Sequence, residues 1–255
     1  MRSVIIAFSM YSRIPMPKLS WREKDMRYAI CAFPLIGIVI AATELALVWA
    51  AQRYKIPSAA TVSLMIALPI LITGGIHLDG FIDTSDARSS YRSAEEKLAI
   101  LKDPHVGAFG IIRLFLYFLI VFAGLTIFLS TGPEKALIRA AALLPVVSRS
   151  CSGLTAELMS KARKEGMLSG LLGENRKMPV IVILILWLAA ALGAVFFFDL
   201  RGGGAIVVAE SAVMLYYGWM VRKEFGGVTG DLAGWYLCTA EAAGVWAMAV
   251  RALFF

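Results

Sequence analysis

The chain has 255 residues, 59% of them hydrophobic and only 17% charged, with a formal net charge of +7. A soluble domain carries about 25% charged residues, and no soluble core of this size could bury so much apolar surface, so lipid is the solvent for much of the chain. This balance excludes disordered, coiled-coil, collagen-like and disulfide-framework classes. The basic excess, which in a soluble chain would point to nucleic acid, falls here in the gaps between apolar runs and is explained by membrane topology, with no nucleic-acid partner.

In chain order, the run from Val4 to Met10 is too short for a signal sequence. Arg13, Pro15 and Pro17 follow it where a cleavage site would stand, so the segment is predicted to lie at the membrane interface. Windows of about 20 predominantly apolar residues predict spans at 28–51, 59–73, 111–129, 136–153, 178–198, 203–220 and 232–255. The span at 178–198 has no charge, and Pro179 is placed to start a helix. The second span, short and holding Pro69, and the fourth, with Arg139, Pro145 and Arg149, read as helices that are broken or re-entrant within the bundle. The expectation is an all-α, polytopic integral membrane helical bundle of about seven transmembrane helices, one integral membrane domain over residues 1–255. Cys31, Cys151 and Cys238 are widely separated and form neither a metal motif nor a disulfide framework.

With seven spans, 17 Lys and Arg residues fall on the side of the N-terminus and six on the other. The positive-inside rule then places the N-terminus in the cytoplasm of a multi-pass cell-membrane protein. The same side carries the long loops, after spans two and four, so the active site is expected at the cytoplasmic face.

The first of these loops opens with His77-Leu78-Asp79-Gly80-Phe81-Ile82-Asp83-Thr84-Ser85-Asp86-Ala87-Arg88. Asp79, Asp83 and Asp86 stand at i, i+4 and i+7, within about 60° of one another on a helix face. Three such carboxylates repel unless a cation sits among them. Magnesium, held by one or two carboxylates plus substrate phosphates, fits that pattern and makes the cluster a pyrophosphate site with Arg88 as a phosphate clamp. The bland alternative is an acidic helix start favoured by the helix dipole. His77 lies nearly opposite the Asp face. A second cluster, Lys102-Asp103-Pro104-His105-Val106-Gly107-Ala108-Phe109-Gly110, is a turn able to bring Lys102, His105 and backbone N–H groups to an anion. A third, Gly226-Gly227-Val228-Thr229-Gly230-Asp231, puts a fourth carboxylate at the same membrane level. Glu44, Glu210, Glu241, Arg113 and Arg149 fall inside predicted spans, where a charge demands a partner or a function.

These blocks together resemble the cobalamin synthase family of adenosylcobinamide-GDP ribazoletransferases. The resemblance rests on the stretch from His77 to Arg88 read with Lys102-Asp103, Gly107 and Gly110. It extends to Ser12-Arg13-Ile14-Pro15, Phe33-Pro34-Leu35-Ile36-Gly37, Ser148-Arg149, Ala162-Arg163 with Gly166, and Thr229-Gly230-Asp231 with Gly234 and Glu241. Two positions depart from the family pattern: His105 stands for a basic residue and Cys238 for an acidic one. The resemblance implies a magnesium-dependent membrane transferase of cobalamin biosynthesis. It would join adenosylcobinamide-GDP to α-ribazole or its 5′-phosphate and release GMP. It also implies roles: Asp79, Asp83 and Asp86 for the metal; Arg88, Lys102, His77, Arg149 and Arg163 for substrate; and Asp103, His105 or Asp231 as general base. Asp231 should face the Asp79 cluster, whereas Glu241, about 15 Å deeper, should pair with Arg149. A CDP-alcohol phosphotransferase fits less well, because Ala87-Arg88 come four residues late for that motif. A transporter is the non-enzymatic alternative. The sequence leaves open a homo-oligomer and contacts with other cobalamin-assembly enzymes.

Overall fold

The computed structural model describes residues 1–26, 28–162 and 178–254. The elements are α1 (Arg2–Tyr11), α2 (Glu23–Met26), a 3-10 turn (Ala29–Ala32) leading into α3 (Phe33–Tyr54), α4 (Ser58–Thr73), α5 (Ile76–Ser89), α6 (Ala94–Ile100) and α7 (Ala108–Ser130). They continue with α8 (Lys135–Ala142), α9 (Leu144–Leu158), α10 (Met178–Phe198), α11 (Leu200–Met220) with its π-helical extension Val221–Phe225, and α12 (Gly230–Phe254). No strand occurs among the described residues. Six of these helical stretches are long and apolar enough to cross a membrane, and α4 with α5 would make a seventh, bent by 97°. The chain is a multi-pass membrane protein. Lipid contact explains why Phe115 and Leu119 of α7 and Leu186 of α10 stay exposed.

The expected break in span two is real. At 1.5 Å per residue α4 is about 24 Å long, short of the ~30 Å hydrocarbon core. Pro69 has no backbone donor, and the Thr73 hydroxyl donates to the Pro69 carbonyl at 2.8 Å. Gly74 and Gly75 then take φ of 69° and 79°, left-handed values that side chains disfavour, and α5 leaves at nearly a right angle. The fourth span, in contrast, crosses as one 24-residue stretch, Lys135–Leu158, with only a local interruption. It runs as α8 and α9 with a break at Leu143, and Pro145 sits in the first turn of α9, where its missing N–H costs nothing.

α12 is the axis of the bundle, packing on α5, α7, α9 and α11. Close helix approach replaces the hydrophobic effect as the organising force in lipid, so small residues mark the contacts. A Cβ on Gly37 would lie 2.6 Å from the Pro145 carbonyl oxygen, so this glycine lets α3 seat directly on α9. A Cβ on Gly193 of α10, in contrast, would meet nothing within 4 Å. Gly37→Ala should therefore cost about 1–3 kcal/mol through forced separation of two backbones. Gly193→Ala should be neutral or stabilising by up to about 1 kcal/mol through helix propensity alone. Thermal melting of both variants in one detergent checks this; equal melting points would remove close packing as the cause.

Candidate active site

Turned off the α4 axis, α5 lies across one end of the bundle with its Gly80 face pressed on the first turn of α12. A Cβ on Gly80 would stand 2.6 Å from the Asp231 carbonyl oxygen and 2.8 Å from its Cα; one on Gly234 would stand 2.8 Å from the His77 carbonyl oxygen. Two glycines thus remove the side chains that would hold the helices apart, and Asp231 arrives beside the α5 carboxylates. The α12 end is itself fixed: the Leu232 N–H donates to Thr229 Oγ1 at 3.2 Å, a helix-capping bond. Backbone bonds from Val228 N to Ser160 O at 2.8 Å and from Ala162 N to Val228 O at 3.1 Å tie the preceding loop to the end of α9.

Asp83 registers the crowding. Its carboxyl is pushed up to about 6, first by partial burial and then by Asp79, Asp231 and Asp86. A dipole-stabilised helix start cannot account for this, because the dipole acts within the first turn, which holds only Asp79. Among the described residues no three His, Cys, Asp or Glu side chains close on one point as a cage. Asp79 lines a cleft, and Asp83, Asp86 and Asp231 stand near it; an open, uncaged set of carboxylates suits a hard cation such as magnesium, which keeps waters and takes phosphate oxygens as its remaining ligands.

The second cluster reaches the Asp86 carboxylate through Gly107. A Cβ there would fall 2.0 Å from Asp86 Oδ1, so the 102–107 loop rests on Asp86. On that loop Asp103 Oδ1 accepts from the His105 backbone N–H at 2.9 Å and lies 2.7 Å from His105 Nδ1. These bonds hold the Asp103 carboxyl below its usual range, the backbone bond contributing most. Lys102 is exposed on the same loop.

The remaining expected residues are distributed differently. The guanidinium of Arg88, expected to clamp pyrophosphate, donates to Tyr216 OH at 2.6 Å and to Glu224 at 3.1 and 3.3 Å, and it lies over the Tyr216 and Trp235 rings. It follows Asp86 by two residues and so projects to the other side of α5. With Lys97, 2.9 Å from Glu224, it bolts α5 and α6 to the π turn. His77 lies away from the Asp face as its position requires, its ring 5.6 Å from that of Phe33 and 6.5 Å from that of Tyr11. Arg149 is 1% exposed. Its Nη1 donates to Glu241 Oε1 at 2.6 Å and to the Pro145 carbonyl at 3.1 Å, giving the expected pair, and Ser148 Oγ donates to the same Glu241 oxygen at 3.0 Å. Arg113 is exposed near the start of α7. Arg163 lies outside the described residues.

One residue left without a role by the sequence enters the site. Arg13 donates its backbone N–H to Ile72 O at 2.7 Å, and its side chain lies across Gly74, where a Cβ would meet Arg13 Nε at 2.4 Å. Arg13, Ser12, Gly75 and Asp79 line a cleft of about 750 Å³. The signal available was the Ser12-Arg13-Ile14-Pro15 block, but nothing in its spacing relates it to residues some sixty positions away.

The chain matches the family described as cobalamin-5-phosphate synthase over residues 3–249. An adenosylcobinamide-GDP ribazoletransferase of Lachnoclostridium phytofermentans is 37% identical over 241 residues, covering 94% of this chain and 90% of that protein. Proteins of the same name are 30% identical over 252 residues in Clostridium perfringens strain 13, covering 96% of both chains, and 32% identical over 250 residues in Clostridium botulinum strain Alaska E43, covering 96% and 95%. No solved structure matches.

The raised Asp83 carboxyl carries a stability consequence. Its folded value of about 6 exceeds the ordinary 3.8, so the fold favours the protonated form. The contribution is complete below about pH 4 and is lost as pH rises through about 6. In metal-free detergent solution the melting temperature of the unaltered protein minus that of Asp83→Asn should fall as pH rises from about 4 to about 7, then level off. A difference that grows over this window would show that the carboxylates are not crowded.

Proposed function

Because this chain belongs to the cobalamin-5-phosphate synthase family, we propose that it joins adenosylcobinamide-GDP to α-ribazole or its 5′-phosphate with release of GMP, using magnesium, at the cytoplasmic face of the cell membrane. The observation that carries the reading is the meeting of Asp79, Asp83, Asp86 and Asp231 beside a cleft that also holds Arg13. In the reaction a ribose hydroxyl oxygen bonds to the cobinamide-linked phosphorus, the bond from that phosphorus to the bridging oxygen breaks, and GMP leaves with the bridging oxygen. Such a displacement needs positioning and charge neutralisation more than covalent help from the protein. Magnesium, when bound, would neutralise charge on the pyrophosphate and the leaving group.

Asp79, Asp83, Asp86 and Asp231 would hold the metal. Arg13 and Lys102 supply positive charge to the pyrophosphate, and Arg88 orders the frame. We take His105 as the general base, on the support of its contact with Asp103. An ionised Asp103 only accepts hydrogen bonds, so Nδ1 of His105 carries the proton and Nε2 is left to take one from the hydroxyl, with Asp103 orienting the ring. Cytoplasmic orientation follows from the basic excess on the loop-rich side.

Purified protein with adenosylcobinamide-GDP, α-ribazole and magnesium should release GMP. Asp83→Asn and Asp231→Asn should each lower that rate by about 100-fold or more, the scale of losing a principal electrostatic stabiliser, while keeping the melting behaviour of a folded protein. Rates within a few-fold of the unaltered protein would return the cluster to a plain solvated helix face. Cysteine placed at position 92 should be labelled from the cytoplasm and at position 201 from outside; the reverse would invert the site.

A further inference from the structure

Behind the carboxylates, on the other side of the α5 N-terminus, lies a cavity of about 130 Å³ bounded by α3, α4, α7, α9 and α12. Its walls are mainly apolar, among them Met65, Ile66, Val121 and Leu125, but Glu44, His77, Arg149 and Glu241 also line it. Two of these polar groups are incompletely satisfied. Arg149 spends Nη1 on Glu241 and Pro145, while its Nε, though buried, has no partner; the buried Nε2 of His77 has none either. An unmade bond at a buried polar atom is costly, and the bundle carries two among the residues that line this cavity. The cavity also adjoins the catalytic cleft, since Thr73 and Leu78 line both.

We propose that this cavity receives the aromatic base of the ribazole acceptor, with the ribose passing over the start of α5 into the cleft. The inference rests on the ribazoletransferase reading and adds where the acceptor binds. Size is of the right order for one flat ring: at about 130 Å³ the cavity is on the scale of one of about 150 Å³ that admits benzene, and it excludes a corrin. Polarity agrees. The base carries a single ring-nitrogen acceptor besides the glycosidic nitrogen, and Arg149 Nε–H, or the Nε2–H tautomer of a neutral His77, is a donor for it. Guanine, polar along most of its edge, would leave most of its groups unpaired against these walls. Placement agrees too, for His77 and Asp83 are six residues apart on α5, about 9 Å along its axis, a separation that one nucleoside bridges.

Ala242 lines the cavity from α12, one residue after Glu241, and Ala242→Phe would fill it. The variant should raise KM for α-ribazole by roughly 10-fold or more, as pocket-filling changes do, while KM for adenosylcobinamide-GDP and kcat at saturating ribazole stay within about twofold. With the unaltered protein, free 5,6-dimethylbenzimidazole should compete with α-ribazole and not with adenosylcobinamide-GDP; this arm decides alone if the variant fails to fold. GMP release with no such competition, or with an unchanged ribazole KM in the folded variant, overturns the inference and leaves the transferase reading standing. That is also the outcome if the cavity holds only a lipid chain. No GMP release from the unaltered protein overturns both.

Discussion

The contact on which the rest depends is the bare backbone approach of α5 to α12 at Gly80 and Gly234. Lipid offers no hydrophobic drive for two apolar helices to associate, so what holds α5 flat against α12 is dispersion over a surface from which side chains have been removed. The same closeness sets Asp231 beside the Asp79, Asp83 and Asp86 face, where the repulsion works against the packing. A larger residue at either glycine would relieve the repulsion and lose the site. The fold therefore stores an electrostatic cost at the place where a cation and an anionic substrate would offset it.

That cost is withstood because the surrounding frame is fixed from several directions. Glu224 takes both Arg88 and Lys97, joining α5 and α6 to the π turn after α11. The backbone pairing at Val228 anchors the α12 end to α9. π turns recur at functional sites because the extra residue re-aims the downstream backbone; here it precedes Gly226, with φ of 72°, and the chain reverses into Thr229-Gly230-Asp231. Arg88 is thus engaged by Glu224 and Tyr216 within this frame.

Spans were legible in the sequence because an unbroken apolar run has one reading in lipid: 178–198 was expected and is a helix at Met178–Phe198. The shared face of the three aspartates followed from helical spacing, and the Arg149–Glu241 pair from the cost of an unpaired buried charge. Arg13 and Arg88 were not legible in the same way. Each is placed by a partner far along the chain, Arg13 by Ile72 and Arg88 by Glu224, and no local period encodes such a meeting. The Gly74-Gly75 pair signalled a turn, but the 97° between α4 and α5 is decided by what α5 packs on.

That right angle is what allows one short helix to serve two environments. Had α5 continued the axis of α4, Asp83 and Asp86 would stand about 15 and 20 Å beyond Thr73, carried past the end of the bundle and away from Asp231. Turned off that axis, it sets Asp79 in the cleft with Asp83 and Asp86 beside Asp231, and His77 in the interior cavity with Arg149 and Glu241. Glu241 follows Asp231 by ten residues on α12, about 15 Å deeper, so the two acidic systems are separate along α12, with α5 reaching both. In the reading proposed above, a substrate with a charged end and an apolar end would meet both, and the distance it would have to cover is set by α5.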